Sequence, residues 1–170
     1  MKTKVILTLC VVFFLGVVTN ASAQVTLIAG SPEDKAFTAA TNETNPDTKV
    51  NLLLAFEKQF PQSKALPDIY LALMDVYNQK NDRAKVVETG EKTIKIDPEN
   101  FSALMSVSRN YAIEKKNLAV AAQYAQHAAD AVAKKKTEPR YTEDAGWKTY
   151  LDSIDAAAKA NLAFVKSVKP

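Results

Sequence analysis

Tyr70, Leu73 and Tyr77 are echoed by Leu104, Val107 and Tyr111, each 34 residues further along the chain. A displacement of that size leaves few architectures open. It is too short for a domain with its own core, and long enough for two helices and the turns that join them. Inside the period the large residues stand three or four apart, at Tyr70, Leu73, Met74 and Tyr77. That spacing gathers them on one face of a helix. A unit of this kind has apolar faces that it cannot bury alone, so neighbouring units must stack.

The rest of the chain reads as helix on the same grounds. Alanine is abundant, glycine is scarce, and prolines fall between the periodic segments. Ser31-Pro32-Glu33-Asp34 and Asn45-Pro46-Asp47 each offer a capping side chain, a proline for the first turn and an acid for the positive end of the helix dipole. The second of these helices carries Val50, Leu53, Leu54 and Phe56 and ends at Phe60-Pro61. Further helices are expected over about Pro67 to Gln79, from Asn81-Asp82 to before Pro98, over Phe101 to Lys115 and over Leu118 to Lys135. A last long one starts near Thr142, with Trp147, Tyr150, Leu151, Ile154, Ala158, Leu162 and Val165 along one stripe. No segment alternates with period two, so no sheet is expected.

From Pro67 to Asn100 the residues resemble a tetratricopeptide repeat (TPR) position by position. Tyr70, Leu73, Met74 and Tyr77 stand where that family's first helix carries a large aromatic, an aliphatic, a small residue and a tyrosine. Val86, Gly90 and Thr93 stand where its second helix needs small residues, and Asp97-Pro98-Glu99-Asn100 resembles the closing turn. The next unit keeps Leu104, Val107, Ser108 and Tyr111. Its small residues Ala121, Ala125 and Ala128 follow at 35 residues, so one residue has been added near Lys115-Lys116-Asn117. The segment "LLLAFEKQFPQS" resembles divergent repeats of bacterial envelope proteins. Met74 and Val86 are bulkier than the family's usual choice, and Gly90 weakens a helix. The resemblance implies an all-α fold, a TPR-like α-solenoid of antiparallel helix hairpins. Its units span about 31–62, 67–100, 101–136 and 142–168, and the long last helix forms a C-terminal cap.

The first 23 residues stand apart from this pattern. Lys2 and Lys4 precede the uncharged, mostly apolar run Val5 to Val18, and Ala21-Ser22-Ala23 follows. This is the form of a secretory signal, with cleavage expected after Ala23. The run is short for a membrane span, which needs about 20 residues. Residues 24–30 then form a flexible lead-in to a helical domain at 31–168, and the protein is expected to be exported, periplasmic or secreted. Loss of Lys2 and Lys4 lowers the net charge from +3 to +1, which gives no general attraction to nucleic acid or membrane. The only cysteine, Cys10, lies within the signal, so no disulfide supports the domain.

The inventory of reactive side chains is thin. His127 is the only histidine, and with no cysteine beside it the common zinc sites are out of reach. Gly30, Gly90 and Gly146 are too dispersed for a phosphate-cradling loop. No second histidine accompanies Ser106, Ser108 or Ser153. Neither catalytic residues, metal nor cofactor are expected. Lys134-Lys135-Lys136 with Arg140 forms the densest basic run, which suits a helix end or, more sharply, an acidic partner.

What remains is recognition. The TPR resemblance implies a concave face lined by the first helices, with Asp68, Leu71, Asp75 and Asn78 from one unit. The next unit would add Ser102, Met105, Arg109 and Ile113. The mixture lacks the lysine–asparagine clamp by which some members hold a C-terminal carboxylate. It suits a peptide or partner helix with apolar anchors and modest charge complementarity. The expected role is a non-enzymatic scaffold or adaptor in the bacterial cell envelope. The alternatives are a self-associating structural solenoid and an accessory subunit of an envelope assembly machine.

Overall fold

The computed structural model describes residues 27–169. The expected signal and most of the lead-in lie outside the described residues. Within them the protein is all-helical and has no strand. Its helices are α1 (Pro32–Asn42), α2 (Pro46–Gln59), α3 (Leu66–Gln79), α4 (Arg83–Ile96), α5 (Phe101–Ile113), α6 (Leu118–Lys135), α7 (Arg140–Glu143) and α8 (Ala145–Ser167).

The starts follow from side chains that satisfy otherwise orphaned backbone N–H groups. The Ser31 hydroxyl accepts from the Asp34 N–H at 3.1 Å. Asn45 accepts from the N–H groups of Asp47 and Thr48, Asp82 from that of Lys85, and Asn100 from that of Ala103. The last long helix begins at Ala145, later than the expected start near Thr142. Arg140–Glu143 makes one separate turn, and then Asp144, in extended backbone, accepts from the Trp147 N–H at 2.9 Å and starts α8 at Ala145. A single aspartate at a cap position breaks the helix without any proline or preceding glycine to announce it.

Two of the turns are built alike, 34 residues apart. After α3 the N–H groups of Lys80, Asn81 and Asp82 donate to the carbonyls of Val76, Asn78 and Tyr77. After α5 those of Glu114, Lys115 and Lys116 donate to Asn110, Ala112 and Tyr111. In both, the fourth residue after the tyrosine is left-handed: Asn81 has φ 56° and Lys115 φ 52°. The carbonyls of Tyr77 and Tyr111 therefore hold equivalent places, each accepting from the residue five positions on at 2.9 Å. The residue by which the later segment is longer comes just after this shared turn. Asn117, also left-handed at φ 47°, precedes α6 without making a capping bond.

Packing runs from neighbour to neighbour. Each helix from α1 to α6 lies against the next, α8 lies on α6 and α5, α7 on α8, and α1 touches α3. The apolar core follows this order in three clusters rather than one. The largest joins Leu53 and Phe56 of α2 to Ile69, Tyr70, Leu73, Met74 and Tyr77 of α3 and to Val86 and Ala103. Burial of each of its larger side chains contributes about 1.5–3 kcal/mol. The second gathers Ala112, Ala121, Ala125 and Val165, and the third Val132, Trp147, Leu151 and Ala158.

Gly90 shows how closely α4 is approached. A Cβ there would stand 2.3 Å from Val107 Cγ2, and 3.4 Å from Met74 Cε. The missing side chain is what lets the bulky Met74 and the β-branched Val107 both reach α4. The counterpart positions Ala121, Ala125 and Ala128 of α6 are fully buried.

Candidate protein-docking face

The eight residues singled out from sequence occupy two helices. Asp68, Leu71, Asp75 and Asn78 lie on α3, and Ser102, Met105, Arg109 and Ile113 on α5. None is fully buried; Asp75, Asn78, Arg109 and Ile113 are exposed. The helix between them, α4, packs on both.

Their surroundings differ. Leu71 rests against the large cluster, leaving one side accessible. Burial raises the carboxyl pKa of Asp68, with a further rise from Asp97, and burial also raises that of Asp75 against the pull of Lys49. On α5, two of the four are already engaged by α8. Met105 packs against the cluster around Trp147, and the Arg109 guanidinium sits over the Phe164 ring at 4.8 Å. The open part of the candidate face is therefore α3 together with Ser102 and Ile113.

A polar feature absent from the sequence reading ties successive helices together. The Glu57 carboxylate on α2 accepts from the Tyr70 hydroxyl at 2.9 Å and from Lys92 Nζ at 2.8 Å. Thirty-four residues on, Glu91 on α4 accepts from the hydroxyls of Tyr111 at 3.0 Å and Tyr124 at 2.9 Å. The following counterpart, Gln126 on α6, accepts from Lys166 of α8 at 3.3 Å. Burial, and then the glutamate partner, push the hydroxyls of Tyr70 and Tyr124 up to about 12 and raise that of Tyr111. The spacing of Glu57 and Glu91 was open to view in the sequence, but nothing there showed that tyrosines from different positions of the unit would converge on them.

Outside this face the chemistry is sparse. His127 lies with Ala122, Gln123, Gln126, Asp130 and Lys166 along a shallow trough of about 470 Å³ between α6 and α8. Asp130 there accepts from Gln126, and no serine, threonine or cysteine lines the trough. Among the described residues no group of three or more His, Cys, Asp or Glu stands close enough together to hold a metal ion. The basic run is tied up locally. Lys134 pairs with Glu99, Lys135 with Glu138, Lys136 with Asp152 and Asp155, and Arg140 with Asp144.

Compared with known proteins, the chain matches no family model, no curated protein and no solved structure.

Proposed function

We propose that this protein is a non-enzymatic docking module of the bacterial cell envelope, built as a TPR-like array of helix hairpins. It receives a peptide or partner helix on the face formed by α3 and α5. The observation that carries this reading is the turn geometry repeated 34 residues apart around Tyr77 and Tyr111. It is supported by the carboxylates Glu57 and Glu91, which stand at the same interval and each accept from side chains of the two following helices. Repeated hairpins packed on their neighbours expose one helix of each pair along a continuous surface, and such surfaces bind extended or helical segments.

Affinity capture from the periplasmic fraction tests it, using the wild-type protein beside Asp75→Lys and Asn78→Ala. Loss of the same specific partner from both variants, with unchanged thermal melts, is the expected result. Full recovery of every partner by both variants contradicts docking on α3.

A further inference from the structure

The partner's chemistry can be narrowed, on the reading that α3 is a docking face. Most carboxylates among the described residues are satisfied within the molecule. Asp34, Asp82 and Asp144 accept backbone N–H groups at helix starts. Asp47, Glu88, Glu99, Glu114, Glu138, Asp152 and Asp155 meet lysines. Glu57 and Glu91 meet tyrosine hydroxyls.

Asp68 and Asp75 have neither a hydrogen bond nor an ion pair among the described residues; Asp68 is half-buried and Asp75 exposed, and desolvation by the surrounding helices raises both carboxyls. The lysine whose charge acts on Asp75 is turned elsewhere: Lys49 Nζ donates to the Thr41 carbonyl at 2.8 Å. Asp97, beside Asp68, already accepts from Asn100. A partly buried carboxylate without a partner, as at Asp68, costs free energy that a neutral residue would not.

The two acids are also placed regularly. Seven residues apart on α3, they stand about 10 Å from each other along one face. Leu71 lies between them on the same face, three residues from Asp68 and four from Asp75. The face thus presents anion, apolar side chain, anion. We infer that the segment docking on α3 carries two cationic side chains about 10 Å apart on either side of an apolar one. A basic amphipathic helix with Lys or Arg at i and i+7 and Leu-sized residues at i+3 or i+4 has that pattern.

The test uses purified, 15N-labelled protein and three alanine-based helical peptides. All carry leucine at i+3 and i+4, and they bear lysine, glutamine or glutamate at both i and i+7. The expected result is that the lysine peptide shifts the amide signals of Ile69 to Asn78. Its affinity should fall about tenfold in Asp68→Asn/Asp75→Asn, and again when salt is raised from low to physiological strength. The glutamate peptide should leave these signals in place. If the glutamine peptide binds α3 as tightly as the lysine peptide, the charge inference is wrong while docking on α3 stands. If no peptide moves α3 signals, both fail. The comparison of peptides and salt on the unaltered protein does not depend on the variants folding.

Discussion

At the scale of single residues, the backbone positions that tolerate least are Gly90 and Lys115. Replacing Gly90 by alanine gains about 1 kcal/mol of helix propensity. Against this, the new Cβ meets Val107 Cγ2 at 2.3 Å, and a β-branched side chain has no free rotamer to retreat into. We expect Gly90→Ala to lower stability by about 1–2 kcal/mol in chemical denaturation. In Gly90→Ala/Val107→Ala the loss should be smaller than the sum of the two single losses. Lys115 is the opposite case, an L-residue held at φ 52° where helix ends favour glycine. Lys115→Gly should raise stability by about 1 kcal/mol, read as an upward shift of several degrees in melting temperature. Asp68 and Asp75 make a third residue-scale case. Their folded-state pKa values lie above the unfolded one, so their contribution is favourable below the unfolded pKa and is lost as pH rises through the folded one. At neutral pH, Asp68→Asn/Asp75→Asn should therefore melt no lower than the wild type.

At the scale of elements, helix starts that look alike in sequence differ in what they do. Asn100 and Asn117 each precede a helix of the α5–α6 pair. Asn100 accepts from the Ala103 N–H and donates to Asp97, whereas Asn117 makes no capping bond and sits in the left-handed region. Asn100→Ala should cost about 1 kcal/mol, while Asn117→Gly should cost nothing measurable, as thermal melts of the pair will show. The long helix α8 is held differently from the others. Its Asn161 donates to the Ser108 hydroxyl at 2.9 Å inside the interface with α5. Its Trp147 and Asn161 keep a buried indole N–H and a buried carbonyl oxygen without partners. Each such group weakens the seat by about 1–3 kcal/mol. α8 is thus seated with less to spare than α3, whose buried face is nearly all apolar.

At the scale of the whole molecule, the tyrosine–glutamate links make stability depend on alkaline pH. The hydroxyls of Tyr70 and Tyr124 ionise near 12 in the folded protein, against about 10 in an unfolded chain. The folded state holds these protons longer, so their contribution is complete below pH 10 and disappears between pH 10 and 12. Denaturation midpoints should fall across that window, and the fall should be shallower in Tyr70→Phe/Tyr124→Phe. Ultraviolet titration of tyrosinate in the native protein provides the independent check.

The spacing of apolar side chains and the polar residues before them determined, from sequence alone, that the chain is helical and where most helices begin. These are local matters: a period of three to four and a side chain three residues from the N–H it caps. The 34-residue echo also pointed to the matched turns at Tyr77 and Tyr111. Contacts between distant helices were decided only in the folded chain. That α8 would engage Met105 and Arg109, that Gly90 would make room for Met74 and Val107 together, and that Tyr111 and Tyr124 would share Glu91 all depend on how helices cross. Crossing geometry is set by the joint packing of several faces, and no single stretch of sequence records it.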